Sequence, residues 1–185
     1  MAGTRQTRNR VGGDIVGRDK TSTVQIGSVP ATFALRRLVE KLAEEQKNDI
    51  RAKEIIAELK RYQVPLDPVP ISLEQKLKDG HREDIVIFAT EAKEQFAKKL
   101  AKNTFFESAQ EIHALLLSKI YCVFKAQVLP QIQQGADRLA VDRLVQTLII
   151  DPIVVELQET PFRYYDEHVH GMLYYLTGNC YIVWK

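Results

Sequence analysis

The residue types best suited to chemistry gather near the C-terminus. Asp166, Glu167, His168, His170 and Cys180 lie in one short segment. Two imidazoles beside two carboxylates are the donors a metal site or a hydrolytic centre would use. The spacing argues against a shared ion. On a helix, residues two apart point about 200° from each other, so His168 and His170 would face opposite ways; only an extended segment would bring them together. No third ligand follows at a metal-site spacing, and no Ser/His/Asp or Cys/His arrangement occurs at a family-specific one. Cys180, after Gly178-Asn179, reads as a packed structural thiol at a helix end rather than as a nucleophile. His113 lies in the apolar run "IHALLLSKIYCVF" and reads as a satisfied core histidine. No catalytic residue, cofactor or metal site is assigned, and the chain is read as non-enzymatic. The alternative kept beside this is a hydrolase-type enzyme with a site near Asp166–Cys180.

A second pattern opens the chain. "VGGDIVGRDK" at residues 11–20 is a tandem Val-Gly-x-Asp-x repeat. It lacks the GK[ST] ending of a phosphate loop, and its aspartates would repel phosphate. Val11, Gly12, Asp14, Ile15, Val16, Gly17 and Asp19 read instead as strand and turn material, continued by Val24 and Ile26. A two-stranded unit is marginal alone. These strands need an edge, in each other, in the C-terminal "YIVW" or in a second subunit. They are taken as interaction residues, together with Tyr174, Tyr175, Asn179 and Trp184 of the C-terminal aromatic cluster, whose other reading is core packing.

The elements that must position these residues are mostly helical. Leu35, Leu38, Val39 and Leu42 form a stripe that resumes at Ile55, Ile56 and Leu59. The polar "EEQKND" between them leaves open one helix or two, with Asn48/Asp49 as a cap. "QVPLDPVPIS" holds Pro65, Pro68 and Pro70 and reads as a linker. Ser72 and Gln75 match a capping box for a short helix ending at Asp79-Gly80. Residues 82–102 carry an amphipathic stripe, residues 105–134 a more apolar helix that should be central, kinked or restarted at Pro130. Asp137 opens a further helix, Pro152 restarts it, and a last helix runs from Asp166 to Gly178-Asn179. "CYIVWK" reads as a C-terminal strand. The fold class is mainly α: a bundle-like C-terminal domain with short strands at the N-terminus and extreme C-terminus. The expected divisions are 1–30, basic arm and β-motif; 31–63, helix or helical hairpin; 64–71, Pro-rich linker; and 72–185, helical domain.

The bulk numbers fit this. A chain of 185 residues, 45% hydrophobic and 27% charged, can bury a real core. The net charge of +2 gives no global field toward nucleic acid or membrane. Arg5, Arg8, Arg10, Arg18 and Lys20 concentrate positive charge in the first twenty residues, so nucleic-acid binding through this arm is kept as an alternative that is not favoured. Cys122 and Cys180 form no disulfide framework, and Cys122 reads as a buried thiol in an apolar run. No signal peptide or run of membrane-spanning length is seen, which suggests a cytoplasmic protein without membrane partners.

The tail "HGMLYYLTGNCYIVWK", with Gly171-Met172-Leu173-Tyr174 and Leu176-Thr177-Gly178-Asn179-Cys180, resembles the closing motif of C-terminal domains in bacterial ABC-three-component systems. These are conflict loci that pair an ABC-type ATPase with a variable effector and often a small middle component. "GDIVGRDK" is similar to a short Gly-Asp motif that precedes various bacterial conflict and signalling modules. The resemblance implies a helical domain from about Ser72 to Lys185 and no catalytic residues. In that family the domain usually follows a catalytic effector; here about 70 residues without a nuclease or peptidase motif precede it. The combined expectation is a non-enzymatic interaction and assembly component of a bacterial defence system. It would self-associate into a homo-oligomer through the N-terminal region and dock an ABC-type ATPase or another component of the locus through the helical domain.

Overall fold

The computed structural model describes residues 33–185. The Gly-Asp repeat, its expected strands and the basic arm lie outside the described residues. Within them the protein is mainly α, with no β-strand. The helices are α1 (Phe33–Lys47), α2 (Ala57–Gln63), α3 (Leu73–Asp79), α4 (Val86–Lys102), α5 (Glu107–Val123), α6 (Leu129–Gln133), α7 (Arg138–Val145), α8 (Asp151–Leu157) and α9 (Asp166–Gly178).

The open choice for residues 32–62 resolves to two helices. Asn48/Asp49 end the first rather than cap the second. Asp49 takes a left-handed conformation, φ 50°, with Ile50 N–H donating to Glu45 O and Asp49 N–H to Gln46 O. This pair of bonds is a Schellman motif. The chain then runs extended to α2. Gln110 holds that stretch: its Oε1 accepts from Ile56 N–H, and its Nε2 donates to Glu54 O and Thr104 O. Both α1 and α2 pack on α5, and Leu35, Leu42, Leu59 and Tyr62 join the same hydrophobic core as the helices that follow.

Neither proline stops its helix. Between α5 and α6 the chain makes a π-helical turn at Phe124–Val128, and between α7 and α8 another at Gln146–Ile150. Each turn ends two residues before the proline, Pro130 or Pro152. A proline ring collides with the carbonyl four residues back and has no N–H to offer it. Widening the preceding turn relieves that collision, and the rod runs on. The stretch Glu107–Gln133 is thereby one helix, long and apolar enough by length and composition alone to cross a bilayer, contrary to the sequence expectation; half of its apolar window is buried inside the bundle.

This central helix buries Ile112, Leu116, Leu117 and Ile120. Cys122, expected inside, is exposed on it; residues 112, 116 and 120 repeat at the four-residue spacing that faces the core, and position 122 falls off that stripe. The closest packing joins α4 to α9. Ala89 and Ala92 on α4 are buried and face Gly171, where a Cβ would lie 2.3 Å from Ala92 O and 2.8 Å from Phe96 Cβ. Only small residues let the two helices approach this far.

Candidate functional site

The expected chemistry at residues 166–180 is dispersed by helix geometry. The segment is helical to Gly178, so His168 and His170 leave it on different sides. His168 is buried; its Nδ1 accepts from Tyr165 N–H at 3.1 Å, which places the proton on Nε2. Burial holds it below the ordinary histidine range, with Lys99 adding to the effect. His170 stacks near Tyr174 instead. Among the described residues no group of three His, Cys, Asp or Glu side chains is placed to hold a metal ion. His113 is fully buried, with Nδ1 2.6 Å from Ala109 O and Nε2 2.6 Å from the Tyr164 hydroxyl. A carbonyl can only accept, so Nδ1 donates and Nε2 accepts from the phenol. Burial lowers its pKa to about 4. It is neutral, paired on both nitrogens and enclosed by Phe96, Phe162 and Tyr164.

The tail is not a strand. After α9, Cys180 takes φ 64°, Tyr181 N–H donates to Leu176 O and Cys180 N–H to Thr177 O. A third Schellman motif turns the chain at His81, after α3. The tail then returns along the bundle and buries Tyr181, Ile182 and Trp184. Burying three of four consecutive side chains is incompatible with the alternation of a half-exposed strand, and helices rather than a sheet edge surround it. Three residues at the end of the closing motif bond within the chain. Asn179 Nδ2 donates to Tyr62 O at 2.7 Å, and Asn179 O accepts from Leu66 N–H at 3.0 Å. Tyr181 donates its hydroxyl proton to Arg61 O at 2.5 Å. Trp184 Nε1 donates to Thr177 Oγ1 at 3.3 Å, Phe124 meets its ring edge-on, and the Arg82 guanidinium lies 4.3 Å over its face. Gly80 caps α3 where the sequence placed the helix end, and it also makes room for Trp184. Its φ is −94°, but a Cβ there would fall 2.5 Å from Trp184 Cβ; His81 takes the left-handed position instead.

Of the residues expected to interact, Tyr174 and Trp184 are therefore buried, and Tyr175 and Asn179 are half-buried, Tyr175 edge-on against Phe96. The residues 11–19 set lies outside the described residues. Sequence reasoning missed Lys76. This side chain is buried, and its Nζ donates to Thr177 O at 2.7 Å, Gly178 O at 3.2 Å and Cys180 Sγ at 3.0 Å. Its ammonium satisfies carbonyls that the last turn of α9 leaves open, where the helix dipole favours a cation. A lysine in a short α3 gave no sign of this, because its partners lie about a hundred residues away. The predicted capping box at Ser72 is half formed: Ser72 Oγ accepts from Gln75 N–H, but the Gln75 side chain turns to Asp79.

Against this closed tail lies a groove able to receive a partner. A groove of about 450 Å³ runs between the linker (Leu66, Pro68, Ile71) and the tail (Cys180, Val183, Trp184). The linker side chains Val64, Leu66, Val69 and Ile71 stand exposed beside it. A bent, proline-rich segment presents such side chains without a helix or sheet to bury them.

The comparisons agree with the placement of the motif. A family model matches residues 72–184: C-terminal domain 9 of the ABC-three component (ABC-3C) systems. No curated protein and no solved structure matches the chain.

Proposed function

Because the chain belongs to the C-terminal domain 9 family of the ABC-three component systems, we propose that it is a non-enzymatic interaction and assembly component of such a system, acting in bacterial defence. The domain from residue 72 docks the ABC-type ATPase of the same locus. The residues before it, with the Gly-Asp repeat at 11–19, assemble copies of the chain into a homo-oligomer. The protein works in the cytoplasm.

One observation carries this reading. The aliphatic linker side chains at 64–71 stay exposed along a groove at the entrance to the family domain, while the reactive side chains nearby are spent on structure. Lys76 caps a helix, His113 is sealed, and His168 is tied to backbone. Exposed apolar surface next to a groove is a common mark of protein–protein contact, and an ATPase is the partner that the family's composition supplies.

Light scattering on the eluted protein tests the assembly half. Full-length chain is expected to run as an oligomer, and a variant lacking residues 1–30 as a monomer; a full-length monomer unchanged by the deletion refutes it. Co-purification with the ATPase of the locus tests the docking half. Ile71→Asp, in the groove's lining, should abolish it while leaving the helical signal intact. Undiminished capture by this variant removes the groove from the interface.

A further inference from the structure

A second, smaller cleft of about 220 Å³ opens where the α3–α4 turn, the α7 helix with its π-turn, and α9 meet. Its polar lining is Arg82, Arg138, Asp142, Gln146, His170 and Tyr174, and Phe88 and Trp184 add aromatic surface. We propose that this cleft binds a small, neutral, planar heterocycle of the nucleobase class.

Tyr174 is the first observation. The residue is only 5% exposed, and its hydroxyl is not one of the sealed, unpartnered atoms among the described residues, so it stands at the cleft wall open to a ligand's polar group. Burial raises its pKa to about 12, so the group is a phenol that can both donate and accept. Beside it, His170 Nδ1 is buried and unpartnered among the described residues. One sealed, unpartnered imidazole nitrogen and one phenol hydroxyl, a helical turn apart on α9 and both lining one cleft, mark a place where a ligand's polar edge would be welcome.

Charge decides the ligand's class. Arg138 grips Asp84 with two parallel bonds, 2.6 and 2.8 Å, and lies 3.5 Å from Asp142; Arg82 pairs with Asp142. Two guanidinium groups are thus matched by two carboxylates. Burial keeps His170 below the usual histidine range and hence neutral near pH 7. A balanced cluster has no surplus charge to attract a phosphate. It does offer donors from the guanidinium edges and acceptors from Asp142 and the Gln146 oxygen, whose amide nitrogen is already engaged with Asp151. The Phe88, His170 and Tyr174 rings meet one another at 5.6 to 6.2 Å, and such rings together with guanidinium planes favour flat π-systems. The volume equals the liquid share of about seven waters, enough for a base and too little for a nucleotide.

Trp184 is the chain's single tryptophan and lines both this cleft and the groove beside the tail, so its emission reports binding at either and the Tyr174 and Gln146 variants assign the signal to this cleft. Full-length protein would be titrated with adenine, cytosine and uracil, and separately with AMP and inorganic phosphate, by calorimetry and by red-edge-excited Trp184 emission. At least one free base should bind and shift the emission, with AMP no tighter and phosphate without effect. Tyr174→Phe keeps the ring and should weaken binding about 5- to 10-fold, the loss of one hydrogen bond. Gln146→Ala, an exposed position, supplies a second variant with a loss in the same direction if Tyr174→Phe fails to fold. Absence of base binding, binding that leaves Trp184 emission unmoved, tighter binding of phosphate or AMP, or full affinity in the folded variants would each overturn the proposal.

Discussion

The linker at 64–71 and the tail at 179–185 are both short, non-helical and rich in aliphatic side chains, and they touch through one backbone bond, Leu66 N–H to Asn179 O. Their fates are opposite. Ile182 in the tail is fully buried, whereas Val69 in the linker is 77% exposed. Hydrophobicity does not separate them. The tail follows a Schellman turn at Cys180 that aims it back onto the bundle, and it meets a surface cleared for it by Gly80. The linker's three prolines deny it a helix, and it bends through residues 66–69 with its aliphatic side chains left exposed. What the comparison teaches is that apolar residues become core only where backbone geometry delivers them to a complementary surface.

That contrast predicts a graded set of responses. Trp184→Ala removes the ring that Arg82, Phe124 and Gly80 enclose and should cost ~3–5 kcal/mol in urea unfolding; a loss below 1 kcal/mol would mean the tail is not part of the core. Gly171→Ala should cost about 3 kcal/mol, near the top of the overpacking range, because the obstacle is Ala92 backbone rather than a movable side chain. Acid should act on the buried side only. His113 has a folded pKa of about 4 against an ordinary value of 6.5, so the unfolded chain binds more protons between these values. Stability is full above pH 6.5 and falls as pH drops through that window, by about 2 kcal/mol from pH 7 to pH 5. His168 and His170 are lowered in the same direction, and urea midpoints across this range read the slope; His113→Gln should flatten it. Smallest of all, Val69→Asp should change stability by less than ~0.5 kcal/mol. A larger effect would place the linker in the core after all.

Much of this architecture was legible in local sequence. The helix α9 covers the residues read as the last helix, Asp137 caps α7 by accepting from Ala140 N–H at 3.0 Å, and Ser72 caps α3. Caps and periodicity act within one or two turns and can be read along the chain. The candidate sites were less legible. The β-forming composition of "YIVW" suggested a strand because propensity reports a preference for extended backbone, not whether a neighbouring edge exists. Tyr174 and Trp184 stood out as aromatic density, and density alone does not show that both are buried yet line a cleft. Cys122 missed the interior by its angle on α5, which depends on where the neighbouring helices lie.

The sequence by itself determined the helical class, the break at 64–71 and the tail motif that marks the family, because each is written in short-range steric and hydrogen-bonding preferences. Only the tertiary structure decided that two prolines would be absorbed into π-turns, that Lys76 would cap a helix about a hundred residues away, and that α4 and α9 would close on Gly171. It also decided that arginines from separate turns would meet Tyr174 and His170 around one cleft. Those outcomes rest on distances between segments remote in sequence, and such distances exist only once the core has formed.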